Sequence, residues 1–289
     1  MKISGFTIVR NAIKFDYPII EAITSILPIC DEVIVAVGNS EDATLELIKS
    51  IPSHKIKIIE TVWNDSLREG GHVLADETNK AFRAVSPDSD WAFYIQGDEV
   101  IHEKYLPAIS AAMQEYKDDK KVDGLLFNYT HFYGSYDYIG DSRRWYRKEI
   151  RIIRNNKKIL SYKDAQGFRK NGEKLHVKAI EPYVYHYGWV KPPEAQQAKQ
   201  LTFHKLWHTD EWMKQNIPQT DKFDYTNIDS LKAFTGTHPA VMQKRISKIN
   251  WKFLFDPTKK KLTFRVKVLL FIENKFGIKI GEYKNYKII

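Results

Sequence analysis

Short apolar runs alternate with helix-like stretches through the first third of the chain, and the fourth run ends in two adjacent acids. Ile3 to Val9 is strand-like and passes through Arg10-Asn11 into a helical stretch from about Pro18 to Leu27. Val33 to Val37 is a second apolar run. It closes in the turn Gly38-Asn39-Ser40-Glu41-Asp42-Ala43-Thr44, ahead of the helical pattern Leu45, Leu47, Ile48. Lys55 to Thr61 is a third strand and His72 to Val85 a third helix. Trp91 to Ile95 is the fourth strand, followed by Gln96-Gly97-Asp98-Glu99. Such alternation predicts an α/β fold with a parallel sheet and right-handed crossovers. Runs that are apolar throughout predict strands covered on both faces.

The acidic turn is where chemistry is expected. Carboxylates at the C-terminal ends of strands in an α/β sheet sit at the crevice where such folds bind ligands. A Mg or Mn ion shared with substrate phosphates needs only one or two protein carboxylates. Asp98 and Glu99 suit that task, and Gly97 lets a phosphate approach the backbone. The competing reading is a strand followed by a solvated acidic turn.

The order of these motifs resembles the family 2 glycosyltransferases, inverting enzymes with the nucleotide-sugar-binding fold called GT-A. The resemblance covers about residues 3–190. Thr7-Ile-Val-Arg-Asn11 looks like the first strand and its polar end. Asn39-Ser-Glu-Asp-Ala-Thr44 is similar to the Gly-Ser-x-Asp-x-Thr turn that starts the second helix. Thr78-Asn79 lies where the family often has Arg-Asn, and Gln96-Gly97-Asp98-Glu99 matches its Asp-x-Asp-(Asp/Glu) metal motif. The resemblance implies a mostly parallel central sheet flanked by helices, a nucleotide-sugar donor, and a divalent cation, Mn or Mg. It also implies Arg10, Asn11, Asn79, Gly97 and Asp98 at the donor, with Asp98 and Glu99 at the metal.

Two departures stand out. The family usually carries Asp just before the second-strand turn, contacting the nucleotide base, and this chain has Val37 and Gly38. Gln96 replaces the first acid of the metal motif, which leaves Asp98 as the better ligand. Further along, Tyr183-Val-Tyr-His-Tyr-Gly-Trp-Val190 reads as an aromatic strand, and His186-Tyr187 looks like a His-Tyr segment whose His can complete the metal site in relatives. Imidazole suits Mn better than Mg. The other reading is a hydrogen-bonded core histidine.

An inverting transfer needs a base for the acceptor hydroxyl proton. Arg151-Ile-Ile-Arg-Asn155 reads as a strand and turn, followed by Ser161-Tyr-Lys-Asp-Ala-Gln-Gly-Phe168; relatives often show His-Glu here, and this chain does not. Asp164, about 65 residues after Asp98, is the nominee and Glu181 the reserve; a loop carboxylate capping a turn is the alternative. Asp42 and Thr44 read first as helix-start residues. His131, Tyr133, Tyr136, Tyr138, Trp145 and Tyr146 either stack on sugar rings or form a core under a long loop. Arg143-Arg144 binds phosphate or is a solvated pair.

At 289 residues there is room for one large catalytic domain with additions. The reading divides it into 1–190, a GT-A domain; 191–239, a helical acceptor-side segment begun by Pro192-Pro193 and running through Glu194 to Gln215; and 240–289, a basic tail. The single Cys30 excludes an internal disulfide and a multi-cysteine zinc site. No signal peptide or spanning helix is visible, so a cytoplasmic protein is expected, at the inner face of the membrane if the tail docks there.

The net charge of +9 is localised: residues 240–289 hold 13 Lys or Arg against three acids, Asp256, Glu273 and Glu282. Phe264, Val268, Phe271 and Ile272 recur there at helical spacing beside Lys259-Lys260-Lys261, Arg265 and Lys267. A basic amphipathic helix predicts peripheral membrane contact, or else a helix packed on the domain with solvated lysines. Each basic group near an anionic leaflet contributes about 1 kcal/mol. No nucleic-acid motif accompanies the charge, so no nucleic-acid partner is expected. Three classes follow. The first is a metal-dependent inverting glycosyltransferase acting on a glycan, lipid-linked or protein acceptor. The second is a sugar-nucleotide-forming nucleotidyltransferase, which would need a Gly-rich basic loop that Val9-Arg-Asn-Ala12 lacks. The third is an inactive protein of the same fold that binds carbohydrate or nucleotide.

Overall fold

The computed structural model describes residues 1–67, 69–217, 220–277 and 279–289. Its first third is the expected alternation. It runs β1 (Ile3–Val9), α1 (Ile19–Ile26), β2 (Glu32–Gly38), α2 (Thr44–Lys49), β3 (Ile56–Thr61), α3 (His72–Arg83) and β4 (Trp91–Tyr94). The four strands pair in parallel in the order β4-β1-β2-β3. All residues of β2 and β4 are buried, as strands covered on both faces must be. Phe6 of β1 packs against Phe82 of α3 and Tyr94 of β4, with ring centroids 5.3 and 5.2 Å apart. Helix α1 buries Ile19, Ala22, Ile23 and Ile26, one stripe at helical spacing.

The parallel half then acquires an antiparallel half. Next come β5 (Glu99–Ile101), α4 (Leu106–Glu115), β6 (Gly124–Tyr133), β7 (Ser135–Gly140) and β8 (Lys148–Arg154). A small separate sheet follows, of β9 (Ile159–Tyr162), β10 (Gly167–Lys170) and β11 (Glu173–Lys174), and then the long β12 (His176–Trp189). Strand β8 joins the free edge of β4, β6 joins β8, and β12 runs parallel to β6 while holding β5 on its other side. The result, among the described residues, is a mixed sheet of 11 strands with flanking helices.

The remaining elements are α5 (Pro193–Lys205), α6 (Asp210–Asn216), β13 (Leu231–Ala233), α7 (Gln243–Ile246), α8 (Phe264–Phe276) and β14 (Lys287–Ile288). The single helix expected to run on to Gln215 is two helices. The Thr209 hydroxyl accepts the Trp212 N–H and starts α6 afresh. Within the segment expected to be helical, residues 191–239, β13 extends the sheet edge at β7. The last 50 residues are stitched to the body at several points. Met242 lies in a cluster with Val100 and Phe132, Arg245 bridges Asp16 (2.6 Å) and Glu21 (3.3 Å), and β14 pairs with β12. Among the described residues, no helix is long and apolar enough to cross a membrane.

At the centre of the sheet lies a fully buried ion pair. The Arg151 guanidinium on β8 donates from Nε and Nη2 to the two Glu99 carboxylate oxygens, each at 2.7 Å. Tyr129 of β6 donates its hydroxyl to the same carboxylate at 2.8 Å. Removing one member of such a pair strands the other charge, which costs about 3–5 kcal/mol. Arg151→Met is therefore expected to lose about that much in denaturant unfolding, and Arg151→Met/Glu99→Leu to recover part of it.

Beside Arg151 on the same strand, burial pushes the Glu149 carboxyl up to about 8 from its ordinary 4.5. Its Oε2 has no hydrogen-bond partner among the described residues. The folded chain keeps this proton where the unfolded chain releases it, so stability falls as pH rises from about 4.5 to about 8. Glu149→Gln removes that slope: its thermal midpoint should exceed the parent's increasingly across this window and match it below.

Candidate active site

A cleft of about 600 Å³ opens at the C-terminal ends of β1 and β4, where open α/β sheets place ligands. Its volume falls within the range of about 300–1,000 Å³ usual for small-molecule sites. Its lining includes Arg10, Asn11, Lys14 and Trp63 from the first strands and their loops, Gln96, Gly97, Asp98 and His186 from around the acidic turn, and Tyr146, Asp164 and Lys199 from later in the chain.

The loop after β1 is zipped to the loop after β2. Asn11, at φ 55°, accepts the Glu41 N–H at 2.7 Å and donates its own N–H to the Ser40 hydroxyl at 3.0 Å. The Ala12 N–H reaches the Thr44 hydroxyl at 2.7 Å. The Asn39–Thr44 motif therefore shapes one rim of the cleft, with Asn39, Ser40, Asp42 and Thr44 accepting backbone N–H groups and Glu41 taking the Lys14 ammonium at 2.6 Å. Arg10 donates to the Asn39 carbonyl (3.1 Å) and to Asp65 (3.1 Å), with its guanidinium 5.6 Å from the Trp63 ring. Trp63 also accounts for Gly38. A Cβ there would lie 2.3 Å from the Trp63 Nε1, so an Asp at that position and this indole exclude one another.

The acidic turn is divided between two tasks. Glu99, expected beside a metal, does not line the cleft; its carboxylate is held by Arg151, Tyr129 and the Gln96 N–H (3.1 Å). Asp98 stands in the turn before β5 and Glu99 is the first residue of that strand, and of the two only Asp98 lines the crevice. Gln96 has its own explanation: its amide nitrogen donates to the Ala165 carbonyl at 3.3 Å, where a carboxylate would meet another oxygen. Asn79 lies outside the lining, its side-chain oxygen accepting the Ser161 N–H at 2.8 Å and tying α3 to β9. Glu181 is exposed on β12 and also outside the lining. Of the aromatic group at 131–146, only Tyr146 lines the cleft, while Tyr133 and Tyr136 are core residues.

Asp98 meets two lysines that its sequence context does not reveal, together with the expected His186. Lys199 of α5 donates to its Oδ2 at 3.0 Å and to the Gly188 carbonyl at 3.1 Å. Lys191 is buried nearby, its ammonium on the Asp16 carbonyl at 2.9 Å. Burial raises the Asp98 carboxyl, but the ammonium of Lys199 foremost, with that of Lys191, holds it well below the usual carboxylate range. His186 presents Nε2 to Asp98 Oδ1 at 3.7 Å, beyond hydrogen-bond length.

The hydrogen-bond chain behind His186 fixes what that nitrogen carries. His131 Nε2 faces the Tyr146 carbonyl at 2.7 Å, so it must hold the proton. Burial keeps His131 neutral by lowering its pKa well below the ordinary value, which leaves Nδ1 as an acceptor. That atom lies 3.1 Å from His186 Nδ1, which must then be the donor. Burial also lowers His186, so its Nε2 bears a lone pair aimed toward a carboxylate oxygen. Two electron-pair donors converge, and Gly188 keeps the place open. A Cβ there would stand 2.7 Å from both Asp98 Oδ2 and His186 Nε2.

This donor set, one carboxylate and one imidazole, fits Mn or Mg bound mainly through a substrate diphosphate. Among the described residues no three His, Cys, Asp or Glu side chains converge, so the remaining ligands would have to come from substrate. Lys199, Lys191 and Trp63 carried no signal in the sequence as members of this site, and His131, read there as a sugar-stacking or core residue, instead stands behind His186. Lys199 is 101 positions from Asp98 and sat in an ordinary helical pattern.

No family model matches the chain, and no curated protein matches it. Solved structures are similar at low identity. Staphylococcus aureus TarS is 16% identical with a TM-score of 0.44, over 70% of this chain and 39% of that one. Residues 1–349 of TarS in complex with UDP give 16% and 0.42, over 70% and 64%. Glucosyl-3-phosphoglycerate synthase from Mycobacterium tuberculosis, in complex with Mn²⁺, UDP and phosphoglyceric acid, gives 16% and 0.31, over 45% and 43%. The chain thus spans less than two thirds of the length of each of these.

His131 touches His186 through its Nδ1 and fixes which nitrogen of that ring carries the proton. His131→Phe removes the acceptor that fixes the His186 tautomer, and Mn²⁺ affinity in the presence of a nucleoside diphosphate should fall about 10–100-fold. His131→Gln, whose amide oxygen can accept the same proton, should retain more of it in calorimetric titration.

Proposed function

We propose that this chain is a GT-A-type inverting glycosyltransferase. It would move a sugar from a nucleotide-sugar donor to a hydroxyl of a glycan, lipid-linked or protein acceptor, with Mn or Mg as cofactor. The observation that carries this reading is the convergence of Asp98 Oδ1 and the unprotonated His186 Nε2 over Gly188, beside Lys199, in the lining of the cleft.

In this reading the cleft takes the nucleoside beside Arg10 and Trp63, and Gly97 lets the diphosphate reach the backbone. Asp98 and His186 would hold the cation, which when bound supplies positive charge to the departing diphosphate. Lys199 adds a fixed cation on the same side, and an ammonium already desolvated against Asp98 needs little reorganisation to meet developing negative charge. The acceptor oxygen forms its bond to the anomeric carbon as the carbon–oxygen bond to phosphate breaks. The electron pair leaves with the nucleoside diphosphate, and the hydroxyl proton passes to a carboxylate. Asp164 is the candidate: it lines the cleft, and burial raises its pKa, which strengthens it as a base. Gln96 steadies its loop through Ala165.

The test is thermal-shift binding against a panel of nucleoside diphosphates, each with and without Mn²⁺. One diphosphate should raise the midpoint, more so with Mn²⁺, and Asp98→Ala should abolish the metal-dependent increment. A panel that produces no shift in either condition would overturn the donor-site assignment and favour an inactive protein of this fold.

A further inference from the structure

Helix α8 is apolar on both faces, with Val266, Leu269 and Leu270 half-buried beside Glu273 and the phenylalanines outward. Eight of its 13 residues are apolar (Phe264, Val266, Val268, Leu269, Leu270, Phe271, Ile272 and Phe276), yet none is buried. Phe264 is 83% exposed, Val268 40%, Phe271 60% and Phe276 59%. Positions 264, 268 and 271 fall on one stripe of a helix, and position 273 falls opposite. That opposite residue is Glu273, whose carboxylate is largely covered and takes ion pairs from Arg143 (2.9 Å) and Arg147 of the body. The charged residue therefore pins the helix inward, and the phenylalanines are turned to solvent.

The stripe is set in positive charge. Lys275 lies over the rings of Phe271 and Phe276 at 5.6 and 5.5 Å, and Arg265 and Lys267 flank it. These three form no ion pair among the described residues, whereas Lys260 is tied to Asp141. Just before the helix lie Lys259 and Lys261, and Leu254 is exposed in the same tail.

We infer that α8 is a docking surface for an anionic lipid bilayer, entered by Phe264, Val268 and Phe271 and held by Arg265, Lys267 and Lys275. An interfacial helix combines an apolar stripe with basic flanks in this way, the rings entering the headgroup boundary while the cations meet lipid phosphates. Charge complementarity selects this occupant over a second copy of the chain. Two α8 stripes face to face would bring Lys267 and Lys275 of each against those of the other, with no acid on the exposed face to answer them. The assignment does not depend on the activity proposed above. It does have a geometric consequence, because the 143–147 segment that anchors α8 also supplies Tyr146 to the cleft, so one cleft wall lies a short segment away from the lipid.

The full chain is to be floated with vesicles of phosphatidylcholine alone and of phosphatidylcholine mixed with phosphatidylglycerol. It should float with the anionic vesicles only, and less at high salt. Phe264→Ser/Phe271→Ser should reduce binding about tenfold or more, with an unchanged thermal midpoint, because neither ring is buried in the fold. Lys267→Glu/Lys275→Glu should do the same. Three results would each overturn the assignment: no flotation with anionic vesicles, flotation undiminished by the phenylalanine changes, or a dimer in sedimentation that those changes dissociate.

Discussion

The Glu99–Arg151 pair is the constraint from which the site is hung. Its two side chains come from β5 and β8, Tyr129 adds β6, and the Arg151 Nη1 also donates to the Gln166 carbonyl at 3.1 Å. The same Glu99 carboxylate receives the Gln96 N–H, so the turn carrying Gly97 and Asp98 and the loop carrying Asp164 are held from one buried point. A buried ion pair is a poor source of net stability compared with well-packed apolar side chains. What this one supplies is position: two bidentate charged groups permit few arrangements of the strands that carry them.

Above that pair the site is electrostatically divided. Lys199 answers one oxygen of Asp98, while the other faces the lone pair of His186. The tautomer that creates the second half is dictated two residues away, by a backbone carbonyl acting on His131. Such relays depend on desolvation. In water both imidazoles would exchange tautomers freely, but within the aromatic packing of Tyr129, Trp145 and Tyr146 around His131 the hydrogen-bond order is fixed.

The parallel half of the sheet was legible because its strands are mostly apolar runs and its helices striped, patterns that need no knowledge of distant partners. The location of the cleft was legible for the same reason, since it lies at the ends of those strands. The roles of individual residues were less so. Asp98 and Glu99 are neighbours in sequence with the same chemistry, and it is the buried partners Arg151 and Tyr129 that take Glu99 away from the cleft while Asp98, in the turn, lines it. Asn79 was read as a donor contact and binds a strand backbone. Gln96 read as a lost acid, yet its amide is suited to the carbonyl it meets. Gly38 read as a lost base contact, and the room it leaves is filled by Trp63.

By itself, the sequence determined the class of architecture, the crevice, and the concentration of positive charge in the last 50 residues, because these follow from local periodicity and composition. The tertiary structure alone decided which acid faces the cleft, that Lys199 and His131 belong to the site, and that α8 turns its phenylalanines outward. Each of those depends on contacts between residues tens to more than a hundred positions apart, such as Asp98 with Lys199 and Glu273 with Arg143. Spacing along a chain carries no information about such a contact until the sheet has brought its partners together.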